Sequence, residues 1–376
     1  MIYQQFTTTD IVAGRTQTVS SGFFNDGNYS ISQAELSINQ DQIQAFGSTN
    51  VDVKNGLYYW DVYYNNQVHF SVSYGDLIGN ASPTSDYTTT KIFPFDANYQ
   101  SYMNLLLAPN EAQFSFITGA FDVTTKTLTS EVTQSPYIFI MNFNANLYKN
   151  QVDPGLLEFS LLGGDGIFTF IDDSSIINKN SNVYNIISGA IDPDTGIPTP
   201  YTSDGLVPYQ SLGLFYPKNG IVILNALALS ALIGTMVGQD SDGQGIIFNP
   251  YQPNNTEQVF NTYQSCLYNA LVLEGGTYNK PMKVRKSELI PTTQYYVRVQ
   301  NANFNYTNNP TFASNGTDGL TAGTIKIPEL RTNPTTYLTT VGLYDSANEL
   351  VAVAKLSQPV PKSFDNEYLL KVNLAY

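Results

Sequence analysis

The last ten residues alternate strictly between two sets of side chains: Tyr368, Leu370, Val372, Leu374 and Tyr376 against Glu367, Leu369, Lys371, Asn373 and Ala375. A period of two puts one set on each side of an extended chain, so this stretch reads as a strand with one face covered. Just upstream, residues 337–344 run into the polar turn Asp345-Ser346-Ala347-Asn348, and residues 349–357 lead back out. That pattern predicts a β-hairpin with a four-residue loop. On the return arm Leu350, Ala352, Ala354 and Leu356 share one face while Val351, Val353 and Lys355 share the other, so both faces are largely apolar. Such a strand belongs deep in a sandwich or at a subunit interface. Tyr337, Leu343, Tyr344, Val351, Val353 and Tyr376 are therefore the candidate interface residues. The segment Gln358-Pro359-Val360-Pro361 is expected to end the ladder, because its two prolines lack N–H donors.

Elsewhere the same signals predict short strands separated by Gly and Asn turns, including an aromatic hairpin over residues 57–64 and 68–74 around Asn65-Asn66. Helical spacing of Tyr99, Tyr102, Met103 and Leu106 predicts a helix over residues 97–107, and a second apolar stripe predicts one over residues 256–273. The uncharged run 220–238 has the length of a bilayer span. Its first five residues are a buried-strand motif, however, and Asn225 stands where an N-cap would start a helix over residues 226–233. Residues 172–213, centred on Asp192-Pro193-Asp194-Thr195-Gly196, are turn-rich and are expected to project as a surface loop. The fold class is mainly β, with antiparallel sheets packed as β-sandwich-like domains and two or three short helices. At 376 residues the chain exceeds what one core usually holds. It reads as a β region with one helix (1–170), a turn-rich and helical region (171–290) and an antiparallel β region (291–376).

Composition narrows the function classes. Charged residues make up 13% of the chain, about half the usual share of roughly 25%. Asn alone occurs 37 times against 17 Lys plus Arg, and Tyr (27) and Phe (21) are abundant. A surface poor in Lys and Glu and rich in Tyr suits packing against other proteins. The net charge of −14 argues against nucleic-acid binding, which needs clustered Lys and Arg. The single cysteine, Cys266, excludes internal disulfides.

Chemistry leaves little trace. The one histidine, His69, lies inside an alternating strand pattern, where a structural role is expected, and Cys266 reads as a small buried hydrophobe. One His and one Cys cannot form the usual zinc constellation. Two acidic loops, Asp192 to Gly196 and Asp240-Ser241-Asp242-Gly243, have closely spaced oxygen ligands of the kind calcium uses, but neither matches the full twelve-residue loop. A glycosidase would need two facing carboxylates, for which Glu111, Glu158, Asp172 and Asp173 qualify by type alone. No phosphate loop or nucleophile elbow occurs. The reading is a non-enzymatic chain with no catalytic, cofactor-binding or metal residues.

Several blocks also resemble a family of virion structural proteins from contractile-tailed bacteriophages of the broad T-even type, including those of marine cyanobacteria. They are residues 295–310 (Tyr-Tyr-Val-Arg-Val-Gln-Asn-Ala-Asn-Phe-Asn-Tyr-Thr-Asn-Asn-Pro), the hairpin and its return at 336–356, and 363 to the last residue. Residues 6–16, 99–107, 137–157 with Asp153-Pro154-Gly155, and 213–224 look similar as well. The resemblance implies a tail building block in the virion, assembled in the host cytoplasm, with a baseplate wedge component first and a neck or collar protein second. A receptor-binding protein associated with a tail fibre and a glycan-cleaving tail enzyme are the rival readings. The implied partners are other tail and baseplate proteins, with multiple copies around a symmetric ring, no nucleic acid and no membrane span. Residues 1–15 and 174–205 are expected to reach across interfaces.

Overall fold

The computed structural model describes residues 5–38, 59–78, 94–122, 127–163, 166–176, 181–201, 206–233, 237–239, 245–247, 260–271 and 280–375. Its principal elements, in chain order, are β1 (Ile11–Gly22), β2 (Trp60–Tyr64), β3 (Gln67–Asp76), α1 (Pro94–Leu106), β4 (Tyr137–Phe143), β5 (Glu158–Gly163), β6 (Gly166–Asp172), β7 (Tyr184–Ile191), β8 (Gly213–Tyr216) and β9 (Ile221–Asn225). They continue with α2 (Ala226–Ile233), α3 (Phe260–Leu271), β10 (Arg285–Val299), β11 (Thr336–Tyr344), β12 (Leu350–Lys362) and β13 (Tyr368–Ala375). The protein is mainly β, with antiparallel sheets and three α-helices among the described residues. It divides into two compact units: unit 1 is Met1–Thr18 with Leu289–Tyr376, and unit 2 is Val19–Glu288.

Unit 2 is organised on a twelve-stranded sheet whose central run is β5-β6-β7-β8-β9-β4-β3-β2. Its middle strands are apolar at consecutive positions, which is what a strand buried on both faces requires. In β4, Tyr137, Phe139, Met141 and Phe143 enter one apolar cluster, and Ile138 and Ile140 enter another. In β9, Val222 and Leu224 join the first, and Ile221 and Ile223 join the second. The sheet is thus the filling between two cores, and α1 closes one side by packing on β3. Gly75 permits that approach: a Cβ there would lie 3.1 Å from the Tyr99 backbone. The Tyr99 hydroxyl donates to the Ser135 carbonyl (2.9 Å) and accepts from the Phe114 N–H (3.2 Å), tying the helix to the neighbouring strand Phe114–Asp122.

Local signals place three elements as expected. Asn65 and Asn66 both have positive φ (47° and 59°), the conformation of a two-residue hairpin turn between β2 and β3. Asn225 Oδ1 accepts from the N–H groups of Leu227 (3.1 Å) and Ala228 (3.2 Å), capping α2 directly after β9. The uncharged run is therefore strand followed by helix, and no described helix is long and apolar enough to cross a membrane. The predicted helix over 97–107 is α1. Of the one over 256–273, residues 260–271 are helical and the rest lie outside the described residues.

Two expectations are corrected. Residues 172–213 do not project as a loop: β7 runs through the middle of the large sheet with Tyr184, Asn185, Ile186 and Ile187 buried, and Asp172, Asp173 and Ser174 are buried before it. Among the described residues of this stretch, the turn at 193–197 is exposed. The flanking Asp, Pro and Gly signals disguised an isoleucine-rich strand whose partners, β6 and β8, are supplied by separate stretches of chain. Nor do the prolines end the hairpin. β12 continues through Pro359 and Pro361 to Lys362, with Tyr337 opposite Pro361 and a register shift between Leu338 and Thr340. Among the described residues this sheet has two strands, and a proline is tolerated where its missing N–H would face away from the paired strand.

Unit 1 contains the sheet β1-β10-β13, in which Thr292 to Val299 pair residue by residue with Ala375 back to Tyr368, and the separate ribbon β11–β12. The alternation at the end of the chain holds. Tyr368, Leu370, Val372 and Leu374 are partly or fully covered, while Leu369, Lys371, Asn373 and Ala375 are exposed. The start of the chain folds back on this unit. Phe6 packs on Tyr295 with ring centroids 5.4 Å apart, and Asp10 Oδ1 accepts from Arg298 Nε at 2.8 Å. Hydrogen bonds from the Thr7 side chain and backbone hold the Asp10 carboxyl below its ordinary range.

Candidate interaction surface

Among the described residues, His69 and Cys266 are buried in the fold. His69 is fully buried. Its Nδ1 lies 2.9 Å from the Gln67 carbonyl and its Nε2 accepts the Asn25 N–H at 3.2 Å, which assigns the neutral Nδ1–H tautomer. The rings of Phe23, Phe24 and Tyr64 surround it at centroid distances of 6.1, 5.6 and 5.4 Å. Burial pushes its pKa below the ordinary 6.5, against smaller upward pulls from the Gln67 carbonyl and Asp26. Cys266 is buried in α3 within the main apolar cluster.

Three of the four candidate carboxylates, Glu158, Asp172 and Asp173, are buried and accept hydrogen bonds from backbone amides. Asp172 accepts from the N–H groups of Gly155 (2.8 Å), Leu157 (3.1 Å) and Ser174 (3.2 Å) and from the Ser174 hydroxyl. Burial nevertheless raises its carboxyl above the usual range. Asp173 accepts from the backbone and side-chain amides of Asn185 at 2.8 and 2.9 Å. Glu158 takes the N–H of Ile191 and pairs with Lys283 Nζ at 3.2 Å, while the same Nζ donates to the Ile191 carbonyl at 3.1 Å. These acids staple β5, β6 and β7 to their neighbours. Glu111 is an exposed residue that accepts the Ala108 N–H at 2.9 Å.

The acidic turn behaves in the same way: Asp192 Oδ1 accepts from the N–H groups of Asp194 (2.8 Å) and Thr195 (3.0 Å), and Gly196 takes a φ of +67°. Those backbone bonds hold the Asp192 carboxyl below its usual range. The second acidic loop, 240–243, lies outside the described residues. Among the described residues no group of three or more His, Cys, Asp or Glu could hold a metal ion.

What unit 1 offers is surface. Tyr337, Val351 and Val353 are exposed to 65, 64 and 60% on the β11–β12 ribbon, and Tyr344 is exposed as well. Leu343, by contrast, is buried and is removed from the interface set; Tyr376 lies outside the described residues. Leu350 takes the vacant place. A register shift between Leu343 and Tyr344 sets Tyr344 opposite Leu350, leaving Leu350 exposed although Ala352 and Ala354 on its predicted face are half-buried.

A cleft of about 770 Å³ is lined by the tip of the ribbon together with β10 and the start of the chain. Phe6, Tyr296, Phe304, Tyr344 and Leu370 form its apolar wall, and the Arg298–Asp10 pair forms a polar one.

One further residue was not legible in sequence. Lys362 is fully buried, and its Nζ donates to the carbonyls of Asn301 (2.8 Å) and Ser363 (2.5 Å) and to Asn305 Oδ1 (2.7 Å). Burial pushes this ammonium below the usual lysine range. Its place beside Pro361 reads as linker, and two of its partners, Asn301 and Asn305, lie some sixty positions away.

No family model matches the chain, and searches of curated proteins and of solved structures gave no match either.

Proposed function

We propose that the chain is a non-enzymatic structural protein of a tailed bacteriophage particle. In this reading it works as a tail baseplate component that holds neighbouring virion proteins together, in several copies around a symmetric ring. The observation that carries the proposal is the ribbon of unit 1, which turns Tyr337, Leu350, Val351 and Val353 to solvent. Large apolar side chains gathered on one exposed ribbon suit a surface on which another protein docks. Engagement of Asp172, Asp173 and Glu158 by backbone amides supports the non-enzymatic part of the reading, since carboxylates fixed this way brace strands.

The reaching segments are narrower than the sequence suggested, because residues 5–22 are folded into unit 1 and β1, and β7 is buried. The exposed turn at residues 193–197 remains accessible. An epitope inserted there, followed by gold labelling and mass spectrometry of purified particles whose genome encodes the chain, tests the proposal. Label at the tail tip supports a baseplate component, and label at the head–tail junction moves the protein to the neck. Particles that lack both label and peptides defeat the structural reading.

A receptor-binding role is the second reading, favoured by the cleft that combines Tyr296, Tyr344 and Phe6 with the Arg298–Asp10 pair. Saturable binding of host glycans by the isolated protein, abolished by Tyr344→Ala, would establish it.

A further inference from the structure

We propose that Lys362 becomes joined to Asn305 by an amide bond that the folded chain makes within itself, Nζ attacking Cγ of Asn305 with departure of ammonia. The inference goes beyond the structural reading and does not rest on it.

The geometry gathers the nucleophile, the carbonyl and the leaving group. Lys362 Nζ lies 2.7 Å from Asn305 Oδ1, so with a carbonyl bond of about 1.23 Å the attacked Cγ is within about 3.9 Å of Nζ. Reacting atoms are poised at about 3–3.5 Å, a short adjustment away. The Asn301 carbonyl accepts from Nζ at 2.8 Å and from Asn305 Nδ2 at 2.6 Å. One oxygen thus fixes both the attacking nitrogen and the nitrogen that departs. A lysine kept only for its charge needs acceptors; this one also has, at the same oxygen, the nitrogen of the amide whose carbonyl it touches.

Both side chains are out of water, Lys362 fully buried and Asn305 6% exposed. The three oxygens around Nζ carry no full charge. Burial therefore favours the neutral amine, the nucleophilic form, against a smaller upward pull from Glu367. The backbone is also held in a costly shape to present Asn305. Phe304 has a φ of +61°, unusual for a bulky residue, and Thr336 Oγ1 donates to its carbonyl at 2.5 Å.

The step balances without oxidant, metal or cofactor. Starting from the ammonium form, Nζ gives up two protons and keeps one; the Cγ–Nζ bond forms as Cγ–Nδ2 breaks, and Nδ2 takes both protons and leaves as ammonium. Glu367 is placed to carry them: its Oε1 accepts the Asn301 N–H at 3.4 Å, and its side chain reaches solvent. The event happens once per chain.

Unit 1 has a use for such a bond. Every apolar cluster among the described residues lies in unit 2, and the buried apolar side chains of unit 1 are Val299, Phe312, Ala313, Leu343 and Val372. Small cores need staples. The link closes residues 305–362 into a ring that contains β11 and β12, and ties the end of β12 to the loop after β10.

The intact mass of the purified, denatured full chain tests this. It is expected to fall below the mass required by the sequence by one ammonia, with trypsin failing to cut after Lys362 and releasing a branched peptide that contains residues 305 and 362. Lys362→Arg and Asn305→Ala should each restore the full mass, which separates the link from ammonia loss at another asparagine. A wild-type chain of full mass overturns the proposal, as does an ammonia loss that survives Lys362→Arg. The wild-type reading and its peptide map need no variant, so a variant that fails to fold leaves the question decided. Glu367→Gln should slow closure at least about 10-fold after cell-free synthesis, and an unaltered rate would overturn its part as proton carrier.

Discussion

In unit 2 the strand β9 buries all five of its residues and β4 all but Asn142, whereas in unit 1 β13 covers alternate residues and β12 leaves most of its length open. Both units are antiparallel, and both draw on Val, Leu, Ile and Tyr. The difference lies in where the second covering layer comes from. Unit 2 supplies its own, through the helices and the return of the sheet, and uses polar groups as staples at the rims. Unit 1 relies on discrete clamps, Lys362 on three acceptors and Arg298 on Asp10, to set its loops while its ribbon stays uncovered. Apolar strand pattern therefore does not distinguish a buried strand from an exposed one; the supply of a covering element does.

The sharpest way to break this contrast is to attack unit 2 where it is self-sufficient. Phe139→Ala removes a fully buried ring between packed strands and should cost about 3–5 kcal/mol, read as a fall in the denaturant midpoint. A loss below 1 kcal/mol would mean that the cluster is not what holds the large sheet. Next in size, Lys362→Met keeps the stem but leaves the Asn301 and Ser363 carbonyls and Asn305 Oδ1 without their donor. A cost of about 3 kcal/mol is expected. Hydrogen exchange should show the loosening at residues 301–305 and in β11, with β4 and β9 unchanged.

Third comes a pH effect confined to unit 2. His69 is held neutral, with a folded pKa below 6.5, so the unfolded chain binds the proton more readily. The stabilisation is complete above about pH 6.5 and is lost as the pH falls from there toward the folded value. His69→Phe should cost about 1–2 kcal/mol at neutral pH through the orphaned Asn25 N–H. It should also flatten the acid limb of the stability curve, and an unaltered limb would assign that loss to other groups. The smallest effect is expected at Val353→Ala, which should change the stability of dilute monomer by less than about 0.5 kcal/mol. A large loss there would mean the valine is covered within a single chain.

Where the determinants are local, the sequence was legible. The Asn65-Asn66 turn, the Asn225 cap and the terminal alternation each depend on neighbours within a few residues, and each was found in place. Residues 172–213 were misread because Asp172, Asp173 and Asn185 look like loop residues until their partners, some at Gly155 and Leu157, are known. Of the candidate surface, Tyr337, Tyr344, Val351 and Val353 were readable from the two-sided pattern. Leu343 and Leu350 exchanged roles through one irregularity in register, and such an irregularity is set by the paired strand.

The prolines of β12 limit how an assembly could grow. Neither Pro359 nor Pro361 has an amide hydrogen to give, so a newly arriving strand cannot extend the ribbon sideways along that stretch. The ribbon thus carries its own guard against edge-to-edge pairing along residues 359–361, placed in two residues whose rings leave the pairing with β11 intact.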